Sequence, residues 1–163
     1  MDTLRWQPIT TMVLSIAGLG VSIYLTLTHF STAVTLSCPA GGGAINCEKV
    51  TTSPQSYVFG IPVAVLGLAY FLPMLVLCLP VAWRSFNRWI HLARLLLSVA
   101  GVGMVIYLVS AELFTIKAIC LWCTSVHVIT FLIFVLVVTT TPMVLGWGQR
   151  TESADYAEGV GSE

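Results

Sequence analysis

Charge is what this 163-residue sequence has least of: Asp, Glu, Lys and Arg together make up 9% of it, against roughly 25% in soluble domains. The formal net charge is zero, so no basic surface argues for nucleic acid, and neither end carries a lipidation signal. A soluble domain is lacking too, because the longest stretch between apolar runs is Ser31–Gly60. Hydrophobic residues make up 57% of the chain. That balance belongs in a bilayer.

Four apolar stretches, Ile9–Phe30, Ile61–Ala82, Leu95–Phe114 and Ala118–Thr141, each reach the roughly 20 residues a helix needs to cross about 30 Å of hydrocarbon. The first is longer than a signal-peptide core of roughly 7–15 residues, and no small-residue cleavage site follows it. An all-α, polytopic membrane protein is expected, with one membrane domain over residues 1–142. The polar, acidic segment 143–163 is expected to be disordered. Arg5, Arg84, Arg88, Arg94 and Arg150 fall on one side of these spans, and Lys49 and Lys117 on the other. The positive-inside rule then puts both termini and the Trp83–Arg94 loop in the cytoplasm, and the Ser31–Gly60 loop between helices 1 and 2 outside. The membrane is expected to be an inner or plasma membrane.

Local signals fill in this frame. Pro62 suits a first helical turn, Pro73 falls in mid-span where it should kink the helix, and Pro142 should stop the last one. Gly18, Gly20, Gly101 and Gly103 read as close-packing contacts between helices. Gly41-Gly42-Gly43 reads as a hinge, since no Lys-Ser/Thr follows it to cradle a phosphate.

The chemistry lies in the cysteines. Cys120-Leu121-Trp122-Cys123 opens the fourth span and sets two thiols on one side of a helix, a spacing that permits a reversible disulfide. The positive end of the helix, with Lys117 one turn away, should stabilise a Cys120 thiolate. Zinc ligation, a permanent bridge and chance compete with this reading. Cys38 and Cys47 lie in the outer loop, so the four thiols share one oxidising face and allow three pairings. A Cys38–Cys47 bridge could be structural, contributing about 3 kcal/mol in the chain-entropy model. Alternatively, a mobile loop could carry Cys47 to Cys120 for thiol–disulfide exchange. Cys78, in the second span, reads as a small packing residue.

His127 lies four residues beyond Cys123 and seven beyond Cys120, on the same helical face. An imidazole in a bilayer needs a partner, either a neighbouring helix or the carbonyl of a lipid-soluble quinone. His29 and His91 stand at span ends, where they can reach water. Glu112 and Lys117 flank the short turn between spans three and four and read as solvated.

Taken in order, Cys38-Pro39, Asn46-Cys47-Glu48-Lys49-Val50, Ser53-Pro54, Phe59-Gly60-Ile61-Pro62, Gly67 and Ile119-Cys120-Leu121-Trp122-Cys123-Thr124 with His127 resemble the bacterial vitamin K epoxide reductase family. The resemblance runs from the first span to about Pro142. It implies a four-helix bundle around a quinone of the ubiquinone, menaquinone or vitamin K type. It also implies that Cys38 meets a thioredoxin-like partner of the DsbA type, Cys47 attacks Cys120, and Cys123 acts on the quinone, driving disulfide formation. Ser53 matches a residue anchoring the lid over the pocket, and Phe59 a pocket-wall aromatic. Animal members have tyrosine at the position of His127 and asparagine at that of Ser56, so quinone binding is assigned to Ser53, Ser56, Phe59 and His127 with those two departures.

The chain is too short for the fused thioredoxin-like domain of many bacterial members, so a separate partner protein is expected. The DsbB type of quinone-linked disulfide generator has the opposite order of cysteine pairs, with its CxxC first. The alternatives carried forward are a vitamin K quinone or epoxide reductase and a non-enzymatic membrane protein with a four-cysteine zinc site.

Overall fold

A computed structural model describes the backbone of residues 3–31, 36–38, 45–85 and 87–145, and side chains from 6 to 141 within those ranges. The expected Gly41–Gly43 hinge and the tail from 146 onward lie outside the described residues. In chain order the elements are α1 (Thr3–Phe30), the short α2 (Cys47–Thr51), a 3-10 turn (Pro54–Ser56), and a hairpin of β1 (Tyr57–Val58) and β2 (Ile61–Pro62). There follow α3 (Val63–Leu77), α4 (Pro80–Trp83), α5 (Arg88–Ser110), a π-helical turn (Ala111–Ile116) and α6 (Leu121–Leu145).

Three segments, Trp6–Phe30, Arg88–Ile116 and Leu121–Thr141, are long and apolar enough to cross a membrane. The fourth expected span does not form one helix. Instead of Ile61–Ala82, α3 is 15 residues long, about 22 Å at 1.5 Å per residue. Pro62 lies in β2 and caps α3, and Pro80 opens α4. Proline cannot donate to the preceding turn and holds the residue before it extended, so the two prolines bracket the helix. Pro73 stays inside α3, and α6 runs on through Pro142 to Leu145. The stop expected at Pro142 is therefore not made: near a helix end the proline removes a single ladder bond.

α1 packs on α3 and α6, and α5 packs on α6 and α3. The buried face of α1 is Thr11, Ser15, Gly18, Ser22 and Leu25, small side chains at helical spacing that let a neighbour approach closely. A Cβ added at Gly18 would overlap the Phe71 ring, and one at Gly101 would meet the Tyr70 ring at 2.6 Å, whereas Gly20 and Gly103 have nothing within 4 Å. Two of the four glycines are thus packing contacts. Phe71, Met74, Cys78, Ile133 and Val137 form the larger apolar core, with Cys78 fully buried in the packing role expected of it.

Two residues expected at the membrane edge are buried instead. Arg94 is 2% exposed; its Nε and Nη2 donate to the Leu77 carbonyl at 3.0 and 2.7 Å, and its guanidinium lies 3.8 Å from the Trp83 ring centroid. It closes the C-terminal end of α3, where carbonyls lack helical partners and a cation suits the dipole. His91 is buried, its Nε2 3.0 Å from the Ser85 carbonyl.

Candidate functional site

The site lies at the end of the molecule where α1 and the π-helical turn finish and α6 begins. Residues 45–47 meet the start of α6 through a parallel bridge between Ile45 and Ile119, with the Asn46 N–H donating to the Ile119 carbonyl at 3.1 Å. Asn46 then caps α2, its Oδ1 accepting from the Lys49 N–H at 2.9 Å, which satisfies an orphan first-turn donor. Cys47 is the first residue of that helix. It is therefore already docked, buried with Val50, Ile116, Ala118 and Cys120 in one apolar cluster against which Cys38, Trp122 and Cys123 pack. No loop excursion is needed to bring the two pairs together.

Cys38 and Cys47 are joined as a disulfide with Cα atoms 6.0 Å apart, while Cys120 and Cys123 are free. Exposure differs among the four cysteines: Cys47 and Cys120 are buried, and Cys38 and Cys123 are half-buried. The segment at residues 36–38 is held by two aromatic side chains. Trp122 Nε1 donates to the Ser37 carbonyl at 2.8 Å, and the Ser37 N–H donates to the Tyr24 hydroxyl at 3.2 Å. The two rings lie 5.0 Å apart.

Cys120 precedes α6, and the Cys123 N–H donates to its Sγ at 3.3 Å. That bond and the positive helix end favour a Cys120 thiolate. Lys117 is not one turn away on the same helix. It is exposed, with a left-handed φ of 54° that ends the π-helical turn and reverses the chain.

Cys123 opens onto a cavity of about 230 Å³ whose other walls include Leu25, Tyr70, Phe71, Met104 and His127. His127 is 7% exposed and makes no hydrogen bond among the described residues. The buried Tyr70 hydroxyl also has no partner. An apolar chamber with an unpartnered imidazole beside a thiol fits a flat, lipid-soluble acceptor bearing a carbonyl oxygen; the Tyr70 hydroxyl is enclosed against Gly101.

Ser53 and Ser56 line the same cavity, but their hydroxyls are committed to the backbone. Ser53 Oγ donates to the Val50 carbonyl at 2.8 Å; Ser56 Oγ lies 2.9 Å from the Thr51 carbonyl and 2.6 Å from that of Ser53. They stiffen the segment over the cavity, an anchoring role, and offer it no free donor. Phe59 is not a cavity wall. Phe59 (φ 53°) and Gly60 (φ 79°) both take left-handed conformations, which suits a tight two-residue hairpin, and the ring at this tip is fully exposed. His29, given no role from sequence, reaches the same hairpin: its Nε2 lies 3.0 Å from the Tyr57 hydroxyl.

Sequence reasoning missed Tyr24, Tyr70 and Glu112. Glu112 is 6% exposed rather than solvated, because the widened π-helical turn carries it inward. Its carboxyl faces the backbone N–H of Cys120. Cys38 and Cys47 are bonded to one another, and among the described residues no three His, Cys, Asp or Glu side chains are grouped to hold a metal. The four-thiolate zinc site is therefore not the arrangement the cysteines adopt. The family model for the vitamin K epoxide reductase family matches residues 9–138. Spanning most of the sequence and both cysteine pairs, that match means that the chain belongs to the vitamin K epoxide reductase family, a family of thiol oxidoreductases.

Proposed function

We propose that this protein oxidises a thioredoxin-like partner of the DsbA type and passes the electrons through its two cysteine pairs to a membrane quinone, driving disulfide formation. The observation that carries this reading is the burial of Cys47 and Cys120 in one cluster, with Cys38 reachable on one side and Cys123 open to an apolar cavity on the other. A thiolate of the partner attacks Cys38 and releases Cys47. Cys47 then attacks Cys120 of an oxidised Cys120–Cys123 pair, freeing Cys123; the partner's second thiol releases Cys38 and leaves the partner oxidised, and Cys38 attacks Cys47 to re-form the Cys38–Cys47 disulfide with Cys120 and Cys123 reduced. The bond between Cys38 and Cys47, with Cys120 and Cys123 free, supports the outer pair as the one that meets the partner's thiolate.

Closing the Cys120–Cys123 disulfide gives up two electrons and two protons, which a quinone accepts at its two oxygens. His127 lines the cavity and would donate to one of those oxygens, while the apolar walls, the Tyr70 ring among them, exclude water. A crossing by α3, completed by the hairpin and α4, gives four spans. With Arg94 buried as a helix cap, Arg5, Arg84, Arg88 and Arg150 still outnumber Lys49 and Lys117, by four to two. The cysteines then face the extracytoplasmic side of an inner or plasma membrane.

The test is reconstitution in nanodiscs with short-chain ubiquinone and a reduced DsbA-type protein, following quinol formation and partner oxidation together. Equal rates that vanish in Cys38→Ala, Cys47→Ala, Cys120→Ala and Cys123→Ala variants are expected. Turnover that survives Cys38→Ala or Cys123→Ala would remove the relay.

A further inference from the structure

Oxidation of a dithiol leaves protons to be moved as well as electrons, and the cavity wall offers few groups to move them. Besides Cys123, the titratable side chains lining it are His29 from α1, Tyr70 from α3, Glu112 from the π-helical turn and His127 from α6. His29 is engaged with Tyr57. Glu112 is the one carboxyl. It is almost wholly buried, its carboxyl faces the Cys120 N–H, and among the described residues it forms no ion pair with a basic side chain. Lys117, the nearest cation in sequence, is exposed beyond the reversal.

The local backbone is specialised to hold Glu112 there. The π-helical turn is terminated by the left-handed Lys117, whose N–H donates to the Glu112 carbonyl, and the Ala118 N–H approaches the same oxygen at 3.3 Å. π-Helical turns sit disproportionately at functional sites. Glu112 and His127 also line a second groove, between the π-helical turn and α6, with Ile119, Thr124 and Phe131. Both residues therefore stand in the wall between the cavity and the outer side of α6.

We propose that Glu112 carries one of the two protons leaving the Cys120–Cys123 dithiol to the reduced acceptor. The inference rests on the quinone-linked reading above. In the step, two S–H bonds break and one S–S bond forms. The sulfurs lose two electrons, the acceptor's two carbonyl groups gain them, and two O–H bonds form. One proton passes from sulfur to the Glu112 carboxylate and then to an acceptor oxygen. The other passes by way of His127. A positioned carboxyl is a competent general acid and base for such a transfer.

The test compares wild type with Glu112→Gln in nanodiscs, using dithiothreitol as donor and short-chain ubiquinone as acceptor. We expect kcat to fall about 100-fold, within the range of a lost general acid–base group, with ubiquinone affinity held within about threefold, and with Glu112→Asp recovering part of the rate. A second readout needs no quinone: infrared difference spectra between the dithiol and disulfide forms should show a carboxyl band that shifts in D2O and is lost in Glu112→Gln. If glutamine prevents folding, Glu112→Leu, neutral and of similar volume, carries the same comparison. A kcat within about threefold of wild type, or a difference spectrum without that band, overturns the relay. Wild-type protein that passes no electrons to ubiquinone would overturn the functional reading itself.

Discussion

Replacing His127 with leucine should move two quantities in opposite directions. The imidazole is 7% exposed and has no hydrogen-bond partner among the described residues, and its ring nitrogens open onto the cavity, so the protein without acceptor carries a partly desolvated polar group, at a cost toward the lower end of about 1–3 kcal/mol. Leucine removes that cost and fits the apolar surroundings, so the quinone-free protein should unfold at higher temperature, by a stability gain of about 1 kcal/mol once imperfect packing is allowed for. Quinone binding should weaken, since a net hydrogen bond of about 0.5–1.5 kcal/mol disappears, roughly a 2- to 12-fold rise in Kd. Exchange between the cysteine pairs should be untouched, because Cys47 and Cys120 meet in a separate cluster. The assay pairs thermal unfolding in detergent with ubiquinone titration by quenching of tryptophan fluorescence. His127→Tyr should keep most of the affinity through its phenol. An unchanged Kd in His127→Leu, or a loss of stability, would refute the reasoning and leave the histidine a packing residue.

Gly18→Ala should destabilise by about 1–3 kcal/mol through overlap with Phe71, while Gly20→Ala, facing open space, should stay within about 0.5 kcal/mol; unfolding midpoints in detergent separate them. Trp122→Phe removes the 2.8 Å bond to the Ser37 carbonyl, worth about 1 kcal/mol, so the Cys38–Cys47 bridge should be reduced several-fold faster by dithiothreitol; an unchanged rate means the segment is held elsewhere. Arg94→Met leaves the Leu77 carbonyl without its donors and should cost about 1–3 kcal/mol of stability with kcat within twofold. Cys78→Ala should likewise leave turnover within about twofold, since this thiol lies in the other core.

What the sequence disclosed was what depends on local pattern. The apolar runs located three long helices, and the order of the cysteines with the motifs around them carried the family. What it hid depends on long-range pairing or on unusual backbone. The bridge between Ile45 and Ile119 docks Cys47 without any loop movement, and no periodicity signals such a contact. A π-helical turn closed by a left-handed lysine looks in sequence like the end of an ordinary span, so Glu112 read as solvated although it is buried. Arg94 read as a loop charge and His91 as a span-end imidazole reaching water because their partners, the Leu77 and Ser85 carbonyls, are backbone atoms that composition does not reveal. Phe59 matched a family position, yet the left-handed hairpin turned its ring outward. The early end of α3 was legible in principle, since Pro62 and Pro80 bracket it, but the unbroken apolar run concealed it.

The central claim is that electrons cross from the outer to the inner pair through Cys47 and Cys120, and trapping that bond tests it most directly. In a Cys123→Ala variant Cys120 has no second thiol to close on, so attack of its thiolate on Cys47 of the Cys38–Cys47 bridge should give a Cys47–Cys120 mixed disulfide that accumulates as Cys38 is freed. Non-reducing peptide mapping by mass spectrometry should then find the peptides containing these two residues joined, with Cys38 a free thiol. A variant that shows only the Cys38–Cys47 bridge, with Cys120 always a free thiol, would contradict the account.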